Sequence, residues 1–245
     1  MRSWHTPKPT SVRNIYKKMQ GTLYIVSTPI GNLEDITLRA IRTLREVDLI
    51  LCEDTRETGK ILKHYDIKNK TQSYHANSKL SKTDKIVELL NEGKQIALVS
   101  DAGTPIISDP GILLVKEILK NSPETKIVPI PGASALLSAV VASGINCHEF
   151  VYLGFIPHKK GRETLFKEIT VSKRTCVMYE SVHRIEKTLD SLSVHLGADR
   201  QLVVGRELTK MFEELVRGTA AEVAEYFREN KDKVRGEFVI IVEGL

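Results

Sequence analysis

From Gly21 to Pro131 the chain alternates short β-branched, apolar runs with stretches of helical period. This alternation limits the fold more than any other feature. TLYIVST (22–28), DLILCED (48–54) and runs at 71–75, 95–101 and 126–131 read as strands. Between them Leu38, Ile41, Leu44 and Val47 recur at helical spacing, and Ile86, Leu89 and Leu90 share one face of a helix over 82–92. Parallel strands need crossovers long enough to hold a helix, so the pattern predicts βαβ units and a mostly parallel sheet. After PIPGAS the rhythm changes. A helix of small residues (133–143) leads to EFVYLGF (149–155), RTCVMYES (174–181), QLVVGREL (201–208), EELVRGT (213–219) and GEFVIIVEG (236–244). The last strands are joined by short links, which predicts a mixed sheet. The expected architecture is α/β in two domains, residues 21–131 and 132–245, behind a basic tail at 1–20.

With 41% hydrophobic and 27% charged residues the chain has the composition of a globular protein, and its 245 residues suffice for a core in each half. The net charge of +5 is concentrated in the tail. Arg2, Lys8, Arg13, Lys17 and Lys18 meet no acid before residue 20, and the remaining 31 basic residues balance the 31 acidic ones. The tail is expected to be disordered, or untranslated where Met19 serves as the start; a nucleic-acid contact or a targeting segment is the sharper alternative. No apolar run reaches the eighteen residues of a membrane span, so no membrane partner is expected. Cys52, Cys147 and Cys176 are far apart and form no CxxC pair. That argues against a zinc site or disulfide framework and for a reducing cytoplasm.

Familiar nucleotide signatures are missing: no GxGxxG follows the first strand, and there is no GxxxxGK[ST]. Four loops at predicted strand ends are the candidates instead. STPIGN (27–32) carries Pro29 and Gly31, and SDAGTPIISDPG (100–111) offers backbone N–H groups, hydroxyls and two carboxylates. PGASA (131–135) opens a helix with small residues, leaving its first N–H groups reachable, and MYESVHRI (178–185) ends a strand with Tyr179, Glu180, Ser181 and His183. Singly, each is more often a turn or cap, because Asp, Ser and Gly form turns anyway. Together they place four ligand-capable loops where open α/β sheets bind ligands, at the carboxyl ends of strands.

These loops carry a resemblance. GTLYIVSTPIGNLEDITLRAIRTL, EDTRET, LVSDAGTPIISDPG, IPGASALLSAVVASG, YESVHRI and RELTKMFEE, in this order over residues 21 to 244, are similar to the ribosomal RNA 2′-O-ribose methyltransferases of the tetrapyrrole methylase superfamily. Within these, the chain resembles those acting on a cytidine of small-subunit ribosomal RNA. The resemblance implies S-adenosylmethionine as methyl donor, a two-domain homodimer, and a cofactor folded into the cleft between the domains. It implies that Pro29, Asp101, Gly103, Thr104, Ile107, Ser108, Ala133, Ser134, Ala135 and Tyr179 line that cofactor. The basic tail is not part of the pattern, and many relatives continue into a further C-terminal segment. RNA is therefore expected to be gripped by the dimer surface, the tail or ribosomal proteins, best within the assembled small subunit. A tetrapyrrole methyltransferase and a non-catalytic RNA-binding assembly factor are the rival readings.

A ribose hydroxyl is weakly acidic, so a base is expected near it. Candidates are Glu180 and His183 in YESVHRI and Glu207 and Lys210 in RELTK. Three residues apart on a helical turn, Glu207 and Lys210 would pair, which would keep the lysine charged. Lys210 as a phosphate-binding cation is an equal alternative, and Glu180 and Lys210 are not separable as bases. Asp109 is expected to cap the helix beginning near Ile112. Tyr152, Phe155 and Tyr179 could stack on a base, and Arg39, Arg42, Arg45 and Arg56 could meet phosphates; core packing and a solvated helix face are the bland alternatives.

Overall fold

A computed structural model describes residues 20–75 and 80–245. The tail expectation lies outside the described residues. Five parallel strands form the first sheet: β1 (Thr22–Val26), β2 (Leu49–Cys52), β3 (Thr71–Ser73), β4 (Gln95–Leu98) and β5 (Lys126–Ile130), in the order β3-β2-β4-β1-β5. Helices α1 (Leu38–Glu46), α2 (Thr55–His64), α3 (Leu80–Asn91) and α4 (Ile112–Asn121) supply the crossovers. Both faces of a parallel sheet must be covered, and two separate cores do so. Val26, Ile50 and Ala97 meet Ala40, Leu44 and Leu62 on one face. Leu23, Leu51 and Ile96 meet Ile86, Leu90 and Leu114 on the other. Thr37 starts α1 by accepting from the Ala40 N–H at 3.1 Å. Leu38 departs from the periodic reading: it is 86% exposed in the first turn of α1, outside the buried stripe.

The second sheet is mixed, as the short links predict. It comprises β6 (Phe150–Phe155), β7 (Thr175–Ser181), β8 (Gln201–Arg206), β9 (Glu214–Thr219) and β10 (Glu237–Val242), ordered β6-β7-β10-β8-β9. Only β6 and β7 pair in parallel; the others are antiparallel. Helices α6 (Arg162–Val171), α7 (Ile185–His195) and α8 (Ala220–Glu229) cover one face through Phe166, Leu189 and Phe227, each burial stabilising by roughly 1.5–3 kcal/mol. A capping box starts α8, with Thr219 and Glu222 satisfying each other's backbone N–H groups.

The opposite face of the second sheet points back toward the first. There α5 (Ala135–Ser143), which follows β5, lays Ala139 on Val177, Val203 and Val239, and Ile30 from the loop after β1 joins the same cluster. Small residues on α5 let the sheet approach closely, which explains why PGASALLSAVVAS is so poor in large side chains. Among the described residues no helix is long and apolar enough to cross a membrane.

Candidate active site

Two neighbouring strand ends build the floor of the site. In the order β4-β1-β5, the loops after β1 and β4 leave the sheet side by side, at a position where the chain direction of the crossovers changes. They are sewn together by a two-bond antiparallel bridge: the Thr28 N–H donates to the Gly103 carbonyl at 2.9 Å, and the Gly103 N–H to the Thr28 carbonyl at 3.1 Å. Thr104 extends the seam. Its Oγ1 lies 3.0 Å from Ser27 Oγ and donates to the Ala133 carbonyl at 3.2 Å, joining the loop after β5. Three of the four candidate loops thus form one hydrogen-bonded unit.

Above this floor opens a cleft of about 450 Å³, within the size range of small-molecule sites. Gly103, Thr104, Ile107 and Ser108 line it from the first half, and Ser134, Ala135 and Tyr179 from α5 and β7. The remaining expected contacts stand elsewhere. Asp101 turns outward, its Oδ1 accepting from the Asp54 N–H at 2.9 Å, so it ties the loop before α2 to the floor. Pro29 is buried and does not line the cleft, and Ala133 contributes its carbonyl to Thr104. Nor are the first N–H groups of α5 free: Tyr179 Oη accepts from Leu136 N at 3.1 Å, and Ser134 Oγ caps Leu137 N at 3.5 Å.

Tyr179 is held by aromatic neighbours as well as by α5. Tyr152 and Phe155 meet it edge-on, at centroid distances of 5.3 and 5.4 Å. A β-bulge between Tyr152 and Phe155 shifts the register and presents Phe155 to the cleft, where it is half exposed. Burial, reinforced by Tyr152, raises the Tyr179 phenol well above its ordinary range, so it is neutral. Tyr152 Oη in turn meets Ser108 Oγ at 2.7 Å.

The four base candidates occupy very different surroundings. Glu180 reaches the cleft wall yet is only 1% exposed. Its Oε1 accepts from Arg184 Nη2 at 2.7 Å and from the Ser181 N–H at 2.7 Å. Its Oε2 accepts from Thr188 Oγ1 at 2.7 Å, with Arg162 Nη1 3.8 Å away. Such a carboxylate anchors its loop; its lone pairs are committed. Lys210 enters the cleft from the turn between β8 and β9 and is held by Glu207 at 2.9 Å and Glu237 at 3.7 Å. Burial lowers the ammonium's pKa, but these two carboxylates outweigh it and the pKa is raised, so Lys210 is a cation at neutral pH. The expected Glu207–Lys210 pair is present, on a tight turn with Glu207 at φ 49° and Thr209 at φ 66° instead of on a helix. Glu207 stands behind Lys210, outside the lining, and His183 sits exposed at the rim.

Asp109 corrects the helix-cap expectation. Gly111 occupies the N-cap of α4 and no side chain caps it. Asp109 instead lines the cleft, where burial pushes its carboxyl up to about 6, helped by Glu53, Asp101 and Glu237 and opposed by the Ser100 hydroxyl. Ile30, Leu208, Glu237, Phe238 and Val239 also reach the cleft. Sequence reasoning missed them because they read as ordinary core or strand residues.

Comparison with known proteins places this architecture. The family model described as Tetrapyrrole (Corrin/Porphyrin) Methylases matches residues 22–224. The chain belongs to the tetrapyrrole methylase family. Its curated relatives include ribosomal RNA small subunit methyltransferase I of Halalkalibacterium halodurans, 48% identical over 92% of this chain and 76% of that one. The namesake proteins of Bacillus subtilis (47%, 93% of this chain, 77% of the relative) and Haemophilus influenzae (44%, 92% and 80%) are similar. Among solved structures, a cobalt precorrin-4 methyltransferase superposes with a TM-score of 0.67 at 17% identity, covering 95% of this chain and 98% of that one. A diphthine synthase reaches 0.70 at 11% identity, with 92% and 90% covered. At these identities the solved structures share the fold alone.

Tetrapyrrole methylases take S-adenosylmethionine as methyl donor, and this cleft suits it. Apolar walls from Ile30, Leu208, Val239 and Phe155 can face an adenine, while Thr104, Ser108 and Ser134 offer hydroxyls to a ribose and an amino-acid tail. The floor comes close at Gly103, where an added β-carbon would stand 3.1 Å from Ile30 Cγ2. A side chain there would crowd the cradle.

Proposed function

We propose that this chain methylates the ribose 2′-hydroxyl of a cytidine in small-subunit ribosomal RNA, using S-adenosylmethionine. The observation that carries the reading is the composite cleft. The first half supplies a rigid, hydrogen-bonded floor for a nucleoside-sized molecule, and the second half brings a cation, Lys210, to its mouth. The named relatives, at 44–48% identity over most of the chain, support RNA as the substrate class.

When bound, S-adenosylmethionine supplies an electrophilic methyl group. The protein's share is alignment, worth roughly 7–11 kcal/mol in well-oriented systems. In this reading Gly103, Thr104, Ile107, Ser108, Ser134, Ala135 and Tyr179 hold the cofactor, with Pro29, Asp101 and Ala133 supporting the loops that do so. Lys210, kept charged by Glu207, receives an RNA phosphate or the developing negative charge near the reacting oxygen. Glu180 fixes the loop that presents Ser181 and His183.

The division into domains at 131/132 is part of the proposal, supported by α5 packing on the second sheet, not the first. So is a cytoplasmic homodimer. Exposed Leu137 and Val141 on α5, with Met211 and Phe212 on the turn entering β9, are apolar surface that a second copy would cover. The test is labelled-methyl transfer to assembled small subunits, to protein-free RNA and to a tetrapyrrole precursor. The near-neutral body gives little counterion release on naked RNA, so assembled particles should be the best substrate at physiological salt. Transfer to the tetrapyrrole alone would overturn the reading.

A further inference from the structure

We propose that the loop between β6 and α6, which carries His158, Lys159 and Lys160, receives the phosphate backbone of the RNA beside the cleft, an inference that rests on ribosomal RNA being the substrate. β6 and β7 are parallel neighbours, so the loops that follow them leave the second sheet on the same side. The loop after β7 supplies Ser181, Val182 and His183 to the cleft, and Phe155 at the end of β6 reaches it too. Directly beyond Phe155 the chain passes through Ile156 and Pro157 into an exposed run, His158 to Gly161.

A clamp of buried charges fixes this loop. Arg184 Nη1 donates to the Ile156 carbonyl at 2.7 Å while its Nη2 meets Glu180 Oε1 at 2.7 Å. Arg162 Nη1 reaches the Pro157 carbonyl at 3.5 Å and lies 3.8 Å from Glu180 Oε2. Its Nη2 donates to Thr188 Oγ1, which donates in turn to the same carboxylate. Through Glu180 the loop after β7 thus holds the loop after β6. A carboxylate buried between two guanidinium groups adds little net stability over apolar packing, and its clearer use is to fix geometry. Gly161 (φ 88°) and a bond from the Arg162 N–H to the Lys159 carbonyl, 3.2 Å, close the far end. The backbone under the lysines is therefore set before a partner arrives, which lowers the ordering cost of binding.

The charge on this loop is uncompensated. Among the described residues neither Lys159 nor Lys160 has an ion pair or a hydrogen bond for its ammonium. Glu163, the acid nearest in sequence, faces His195 at 3.4 Å. The arginines expected to meet phosphates are engaged or remote. Arg56 pairs with Asp54, Arg45 donates to the Tyr65 carbonyl, and Arg39 and Arg42 sit on α1, no residue of which lines the cleft. A strand whose ribose enters the cleft must carry its flanking phosphates over the wall. Lys210 at the mouth, His183 at the rim and the two lysines beside it offer donors along one path outward. Such contacts position a strand without reading its sequence.

The test measures binding to small subunits from cells lacking this protein, and to protein-free small-subunit RNA, across a salt series, with methyl transfer followed on the same samples. The double variant Lys159→Gln, Lys160→Gln should weaken binding to both by roughly 10–100-fold at low salt, and reduce the slope of log affinity against log salt by roughly 0.7–0.9 for each lysine. The KM for small subunits should rise while the rate at saturating subunits changes little. Calorimetric affinity for S-adenosylmethionine and the melting temperature should stay at wild-type values. Lys159→Arg with Lys160→Arg should bind within a few-fold of wild type, and Lys126→Gln, at the start of β5 and so at the end of the first sheet away from the cleft, should change nothing. Wild-type protein that binds RNA with this lysine and salt dependence but transfers no methyl group to it would support the surface and overturn the ribose-methylation reading. Unchanged affinity and slope in the double Gln variant would overturn the surface, as would a loss confined to intact subunits, which would assign the loop to a ribosomal protein instead.

Discussion

The aliphatic stem of Lys210 lies directly on Gly31, so close that a β-carbon at residue 31 would fall 2.4 Å from Lys210 Cγ. This contact joins the loop after β1 to the turn between β8 and β9, and so the two sheets to each other across the mouth of the cleft. Gly31→Ala should therefore lift Lys210 off the loop and weaken its pairing with Glu207. The expected stability cost is modest, about 1 kcal/mol, because part of a flexible side chain can yield. Methyl transfer should fall more than cofactor affinity, which calorimetry and single-turnover rates separate.

Thr104→Arg should abolish cofactor binding while leaving the fold intact. The new side chain would fill the cleft and remove the Thr104 hydroxyl's bonds to Ser27 and the Ala133 carbonyl, a small cost beside hydrophobic cores that do not include residue 104. Calorimetry and a melting curve read the two effects independently, and unchanged affinity would remove Thr104 from the site.

Glu180→Ala should destabilise the protein by roughly 3–5 kcal/mol, because it leaves Arg184 and Arg162 in a buried place without their carboxylate. Urea denaturation measures this. A variant with wild-type stability but no activity would restore Glu180 as the base.

Much of this was legible in the sequence. Strand–helix alternation is written in local periodicity, and the run of short links after residue 200 marks the switch to antiparallel pairing. The loops SDAGTP, PGASA and YESVHR were readable as ligand-facing because strand ends of a parallel sheet must converge. The rest depended on tertiary neighbours. Asp109 looks like a helix cap until the backbone at Ile106 and Ser108 turns it away, and Glu180 looks like a base until Arg162 on α6 and Arg184 surround it. Ile30 and Phe238 carry no polar signal at all.

Acid stability should depend on Glu214. Burial alone would raise this carboxyl, but donors from Tyr226, Lys233 and Arg206 overcome it and hold it at about 2. A depressed folded-state pKa contributes stability above the unfolded value of 4.5, and that contribution is lost as pH falls from about 5 toward 2. Glu214→Gln should thus lower the melting temperature at pH 7 and reduce the loss on acidification. Asp109→Asn has the opposite sign. With its folded-state pKa raised from 3.8 to about 6, Asp109 stabilises the fold less as pH climbs through that interval and no further above it, so the Asn variant should gain more at pH 7.5 than at pH 4.5. Parallel melting curves at those pH values test both.

The most direct test of the central claim is to identify the methylated nucleoside. Small subunits isolated from cells lacking this protein would be incubated with it and labelled S-adenosylmethionine, and their RNA digested and resolved by mass spectrometry. The account predicts label in 2′-O-methylcytidine, at one site, and no label with Thr104→Arg, whose side chain fills the cofactor cleft. Label on a base, on another nucleoside, or on no RNA at all would contradict it.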